Sequence, residues 1–273
     1  MKRAVPSFTL HILLALGVLI TLAPLLWMLS ASFMHAGEAN SFPPRLVPQH
    51  PSFENYLALF TRLDLARHLM NSMIVAVGAT LVSVLVNGMA GYAFAKLRFG
   101  ARERLFQVLI AALVIPGQVG MLPLFLMLQK MHIVNTLFGV MLPGFANVFG
   151  IFMVRQYALS IPDALLDAAR IDGASEGRIF WTIVMPLLRP ILATLATFTF
   201  LSMWNDFMWP LIVLTDDAKY TLPVALANLV GEHVQDTELM MAGAVLTLLP
   251  VVVVFLVLQR AYIRGVMLGS VKG

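Results

Sequence analysis

The sequence predicts an all-α polytopic membrane protein, with six transmembrane helices in a single domain over residues 1–273 and both termini in the cytoplasm. Three observations carry that expectation. Apolar residues make up 60% of the chain and charged residues 12%, too oily a balance for a soluble domain that must cover itself with polar side chains. Six stretches reach the roughly 20 apolar residues a helix needs to cross hydrocarbon, where every backbone N–H and C=O must be satisfied within the segment. The 18 Lys and Arg gather at the ends of those stretches, as membrane orientation requires.

The first span, 10–33, follows Lys2 and Arg3 and leads to further apolar runs. A cleaved signal would have a shorter core and a soluble domain behind it, so the span is read as retained. The others are 69–94, 105–128, 136–154, 191–214 and 240–258. Pro116, Pro123 and Pro143 interrupt the third and fourth, where kinks are expected and cavity water or neighbouring helices can satisfy the freed carbonyls. Arg45, Arg62, Arg67, Lys130 and Lys219 fall on one side of the six spans and the other thirteen basic residues on the opposite side. The basic side is cytoplasmic by the positive-inside rule.

Outside, loop 35–68 holds Pro43, Pro44, Pro48 and Pro51, which resist helix, and then Ser52-Phe53-Glu54-Asn55-Tyr56, which reads as a short helix start. Loop 215–239 carries Asp216, Asp217, Glu232, Asp236 and Glu238 against one Lys. It reads as a solvated turn, or as a docking surface for an external partner.

Several function classes find no support. Cysteine is absent, which excludes disulfides, thiolate zinc sites and a cysteine nucleophile, and the six His show no paired metal-binding spacing. Nucleic acid would need Lys and Arg concentrated on one face.

The most informative segment is the cytoplasmic connection 155–190, far longer than the 2–8 residues usual between helices of a bundle. Ser160 can cap a helix in which Pro162 loses no needed N–H and Asp163 favours the positive end. Ala164 to Asp172 propagates it, Gly173 supplies a left-handed stop, and Ser175 with Glu176 can open a second helix toward Phe180 and Trp181. Pro186 and Pro190 mark entry into the fifth span. On the first helix Leu165, Ala168, Ala169 and Asp172 lie at three- and four-residue spacing. The alanines let another protein approach closely, Asp167 can pair with a basic partner, and Arg170 and Asp172 can add contacts. A helix lying on lipid headgroups is the other reading, but such helices are rich in Lys and Arg, and this one has three Asp.

At these residues a family resemblance becomes specific. Asp167-Ala168-Ala169, then Gly173, Ile183 and Pro186, resembles the E-A-A-x3-G-x9-I-x-L-P loop of binding-protein-dependent ABC importer permeases, with Asp167 for Glu and Met185 for Leu. The wider text of 168–176, the run Trp204-Asn205-Asp206-Phe207-Met208-Trp209-Pro210-Leu211 and the ending Gly-Ser-Val-Lys-Gly resemble the carbohydrate branch, and within it the second permease of maltose-type transporters. The resemblance implies that this loop is the coupling helix, seated in a cleft of a cytoplasmic ATPase. Asp167 would pair with a basic ATPase residue, Ala168 and Ala169 would permit close seating, and Gly173 would make the turn. It also implies a second permease subunit, two ATPase subunits holding ATP and magnesium, an external solute-binding protein and surrounding membrane lipid. No phosphate-binding G-x-x-x-x-G-K-[ST] loop occurs here, in keeping with a chain that binds no cofactor and is not itself an enzyme.

For the translocation path, Trp204, Asn205, Asp206 and Trp209 alternate aromatic faces with amide and carboxylate groups, a chemistry suited to sugar rings. The same run also reads as an aromatic belt at the outer leaflet. Asn87 and Asn147 are further candidates, or polar residues that join helices by hydrogen bonds. An ion-coupled secondary transporter of small polar solutes is the rival function, although inverted repeats and midplane acids are not evident.

Overall fold

The structure, a computed structural model, describes residues 7–232 and 236–270. Every regular element among them is helical: α1 (Ser7–Ala31), α2 (Glu54–Arg62), α3 (Leu65–Lys96), α4 (Arg102–Ala111), α5 (Met121–Lys130), α6 (Leu137–Met141), α7 (Val148–Ala158), α8 (Asp163–Ile171), α9 (Glu176–Ile179), α10 (Met185–Trp204), α11 (Met208–Val213), α12 (Leu222–Glu232) and α13 (Thr237–Ser270). Lys2, Arg3, Lys272 and the end of the tail lie outside the described residues, as do the side chains of Arg62, Glu232, Arg260 and Arg264.

Four helices are long and apolar enough to cross a membrane: Leu10–Ala31, Leu65–Lys96, Glu176–Trp204 and Thr237–Val257. Two bent pairs bring the number to six if each is one span. The expected third span, 105–128, is broken by 99° between Arg102–Val114 and Gly117–Lys130. Pro116 explains the break, because it forces Ile115 into extended backbone (φ −82°, ψ 119°) and donates no hydrogen bond. The expected fourth span bends by 42° between Leu137–Gly144 and Val148–Ala158. There Leu142-Pro143-Gly144 tightens into a 3-10 turn and Asn147 is extended.

The fifth span corrects the sequence reading at both ends. Its helix starts at Glu176, well before Pro186 and Pro190, and the connection therefore ends near Ser175. A π-helical stretch at Phe180–Val184 widens the turn that meets the Pro186 ring, so the helix passes through both prolines. It stops at Trp204, and α11 restarts only at Met208, so 191–214 is not one helix. The loop 215–239, read as a turn, contains α12.

The chain gathers into two compact units. Met1–Ala66 with Ala225–Pro250 forms one. Here α1 exposes large apolar side chains such as Phe8, Leu19 and Ile20, a surface suited to lipid. Ala31, Met34 and Ala39 form a small buried cluster, and the Asn55 side chain donates to the carbonyls of Ser32 and Met34 at 3.0 and 2.8 Å. Glu238 is fully buried and accepts the Ala39 N–H at 2.7 Å, so this acid is no part of a solvated turn. The expected helix start at Ser52-Phe53-Glu54 is α2.

Arg67–Val224 with Val251–Gly273 forms the second unit. Two apolar clusters sit along it. Tyr92, Ala158, Ile161, Leu166, Ile179 and Leu188 anchor one beside the 159–175 connection. Val75, Leu128, Val140, Trp209 and Val213 anchor the other. Within the first cluster α3 and α7 approach closely at Gly91, where a Cβ would lie 2.6 Å from Val154.

Candidate functional site

The connection before α8 does not open on Ser160. That hydroxyl donates to the Tyr157 carbonyl at 2.7 Å, and Pro162 occupies the cap position without a side-chain hydrogen bond. The end of α8 follows the expectation. Gly173 takes φ +82°, and the N–H groups of Gly173 and Ala174 close onto the carbonyls of Arg170 and Ala169, both at 3.0 Å. This Schellman arrangement satisfies the last carbonyls and reverses the chain. Ser175 then caps α9, accepting the Arg178 N–H at 3.3 Å.

Leu166 is buried beneath α8 and Ala169 half-buried, while Asp167, Ala168 and Asp172 are exposed. The outward face therefore runs through Leu165, Ala168 and Ile171, with Ala169 turned partly inward. Ile171, which the sequence reading passed over, is 86% exposed. Its signal was its place three residues after Ala168.

A chain of hydrogen bonds ties this helix down. Asp167 Oδ1 accepts from Arg170 Nη1 at 2.8 Å, Arg170 Nε donates to Glu176 Oε1 at 2.7 Å, and Tyr92 Oη donates to Glu176 Oε2 at 2.9 Å. Asp167, expected to be open to a partner, is thus already paired within the chain. Lys96 Nζ donates to the Ile161 carbonyl at 2.6 Å and to Asp163 Oδ1 at 2.7 Å. The Lys96 side chain is only 6% exposed, whereas Asp163 is 76% exposed. The Lys96 hydrogen bond, then its charge, holds the Asp163 carboxyl below the usual carboxylate range. Glu176 and Asp167 together push the Arg170 guanidinium above its ordinary value. Tyr92 and Lys96 were missed as site residues because their partners are distant in sequence, and Glu176 was read only as part of a helix opening although Arg170 lies six residues before it.

The path candidates fall into two groups. Asn87 on α3 is fully buried; it donates to the Ser83 carbonyl and hydroxyl, each at 2.7 Å, and its Oδ1 accepts the Asn147 N–H at 2.9 Å. It therefore satisfies backbone freed by the break before α7. Asn147 is exposed, and its Oδ1 accepts the Phe149 and Gly150 N–H groups at 2.8 and 3.3 Å. It lines a cavity of about 230 Å³ with Phe149, Phe198, Thr199 and Ser202. No sequence motif pointed to the last four.

The second group surrounds the gap between α10 and α11. Trp204 is buried, stacked on Phe200 with ring centroids 5.8 Å apart, and Trp209 is buried with its indole N–H on the Gly139 carbonyl at 3.4 Å. Neither indole offers an open face to a sugar ring or to lipid in this conformation. Asp206 accepts the Trp209 N–H at 3.3 Å, and exposed Asn205 donates to the Leu201 carbonyl at 2.8 Å. Among the described residues no group of three or more His, Cys, Asp or Glu could hold a metal ion.

Comparisons with known proteins agree on one family. Residues 2–267 match the family model described as binding-protein-dependent transport system inner membrane component. The chain is 37% identical over 270 residues to the arabinooligosaccharides transport system permease protein of Halalkalibacterium halodurans, covering 98% of this chain and 97% of that one. It is 35% identical over 266 residues to the diacetylchitobiose uptake system permease protein of Streptomyces coelicolor, covering 96% and 88%. Among solved structures, a chain of a bacterial ABC transporter involved in the import of the acidic polysaccharide alginate superposes with a TM-score of 0.83 at 25% identity, covering 95% of this chain and 99% of the other.

Proposed function

This chain belongs to the family of binding-protein-dependent transport system inner membrane components, and from that premise we propose that it is a permease subunit of an ATP-driven importer of a sugar or oligosaccharide. It spans the inner membrane six times with both termini in the cytoplasm. It supplies half of the translocation path and works with a second permease, two cytoplasmic ATPase subunits and an external solute-binding protein. ATP and magnesium belong to the ATPase, and this chain catalyses no reaction itself.

The observation that carries the reading is α8. It is fastened on one side by Leu166 and by the Arg170 and Lys96 hydrogen bonds, and it presents Leu165, Ala168 and Ile171 outward with acids at Asp167 and Asp172. An apolar and acidic knob of this kind fits a cleft with basic rims. Asp167, Ala168, Ala169, Arg170, Asp172 and Gly173 form the coupling element, with Ile171 added as its apolar contact. On the path, Asn147 is the candidate with a cavity beside it, and Asn205 and Asp206 are polar groups at the gap before α11. Asn87, Trp204 and Trp209 hold the helices around them.

Affinity purification in mild detergent tests the assembly: an ATPase and a second permease are expected to co-purify. Recovery of neither, with uptake that persists when ATP is depleted and an ion gradient is kept, would defeat the proposal in favour of an ion-coupled transporter.

A further inference from the structure

The last turns of α3 grip the connection around α8 at both of its ends. Tyr92 and Lys96 are four residues apart and so share a face of α3. Tyr92 bonds Glu176, just after the connection, at 2.9 Å; Lys96 bonds Ile161 and Asp163, just before and at the start of α8, at 2.6 and 2.7 Å. Between the two grips Ala95, Ile161, Leu166, Ile179 and Phe180 are buried in one cluster. A Lys this buried is costly unless its ammonium is paired and hydrogen-bonded, and the Ile161 carbonyl and Asp163 carboxylate meet that need here. The Tyr92 end extends through Glu176 and Arg170 to Asp167, so three hydrogen bonds join the acid of the outward knob to α3.

The same helix holds the break in α7. Asn87 lies five residues from Tyr92, about 8 Å along the helix at 1.5 Å per residue, and accepts the Asn147 N–H at 2.9 Å. A rigid α3 therefore has the connection fixed to its last turns and the cavity-lining kink fixed at Asn87, about two and a half turns before Lys96.

We propose that Tyr92 and Lys96 are positioning residues that make α3 and α8 one lever, so that a displacement of α8 is delivered to the α7 kink through α3 as well as along α7 itself and α10. This rests on the reading of α8 as the element that docks on the ATPase. Packed helices shift as units because their interfaces are not continuously deformable.

Because the chain has no cysteine, labels on it can be placed at chosen sites once any cysteines of the other subunits are replaced. Spin labels at Met89→Cys on α3 and Ser160→Cys before α8 are measured in the transporter purified with its own ATPase, without nucleotide and with ATP trapped by vanadate. The lever predicts that the separation changes by less than about 2 Å between the two states, the scale of an ordinary helix shift. In Lys96→Met/Tyr92→Phe the separation is expected to broaden and become nucleotide-dependent. In that variant solute delivered per ATP hydrolysed falls about tenfold, within the range of mutations along a coupling element. Lys96→Arg, which keeps the donors, is expected to restore both.

A native separation that changes by several ångströms with nucleotide overturns the lever, as does a double variant that keeps native separations and stoichiometry. A double variant that fails to insert leaves the native separations to decide. Cross-linking from Ala168→Cys to the ATPase tests the docking reading by itself: its absence defeats that reading, while the separations still report whether α3 and α8 move together.

Discussion

The two halves of the functional length of α3 solve the same problem with different chemistry. At the Lys96 end, polar side chains that leave the core are charged and meet charged partners: Lys96 with Asp163, and on neighbouring elements Arg155 with Glu103 and Arg170 with Glu176. In each pair the carboxylate keeps substantial access to water, at 76, 59 and 47% exposure. Around the middle of α3 the groups are neutral, with Asn87, Ser83, Thr199 and the Asn147 backbone bonded among themselves. The difference follows depth. A charge is affordable where one partner reaches water, whereas in hydrocarbon an amide does the joining, and backbone freed at a helix break is paired inside the protein.

The largest effect is expected from moving the charge. Asn87→Asp places a carboxylate where the structure provides only neutral groups, at a cost approaching the roughly 2.5–3.5 kcal/mol of an acid at the centre of a span. A lowered thermal melt in detergent and reduced yield of inserted protein are expected, and an unchanged melt would show that water already reaches this site. Next in size is Gly91→Ala. Its Cβ would meet Val154 at 2.6 Å and the Arg155 backbone nitrogen at 2.9 Å, and neither is the free end of a flexible side chain. Overpacking of this kind costs about 1–3 kcal/mol, and it should separate α3 from α7 without touching any hydrogen bond of α8. Hydrogen exchange on both helices reads the two effects apart.

Much of this contrast was legible in the sequence, and the rest was hidden for physical reasons. Apolar length located the four membrane-length helices and the two bent pairs, but proline reports only where a helix can break. Pro116 gives a 99° turn, while Pro190 lies inside a continuous helix, because the outcome depends on what neighbours do with the freed carbonyl. In the connection, Gly173 and Ser175 were readable because their work is local, one through its backbone angle and one through an N–H three residues on. Lys96 was read only as a sign of orientation, and Tyr92 was not read at all, since their partners lie 65 to 84 residues away. Asp167 pairs with Arg170 only three residues on, yet the shared motif directed attention outward.

At the charged end, the turn after α8 isolates backbone geometry. Gly173 sits at φ +82° with nothing within 4 Å of the place a Cβ would take, so Gly173→Ala is strained without being crowded. A cost of about 1–2 kcal/mol is expected from the left-handed conformation, with Gly173→Asn recovering part of it. The loss should appear as faster hydrogen exchange in Asp163–Ile171 and leave membrane insertion unchanged. Equal protection in all three proteins would mean that Arg170 and Lys96, not the turn, hold α8.

The smallest effect is a titration, and it distinguishes the two regions by a variable the neutral middle cannot feel. The Asp163 carboxyl is held below its ordinary range chiefly by the Lys96 hydrogen bond and then by the Lys96 charge, with burial opposing. A depressed carboxyl stabilises the fold above its unfolded pKa, and that contribution is lost as pH falls through the lower folded value. The exposed position of Asp163 keeps the effect small and lets salt screen it. Protection of α8 should therefore decline on acidification more in the native protein than in Asp163→Asn, with the gap narrowing at high salt, while exchange around Asn87 shows no such dependence. If Asp163→Asn and the native protein lose protection in parallel, the Ile161 carbonyl is the partner that matters to Lys96, and the grip on α8 is held by a neutral acceptor even at the charged end.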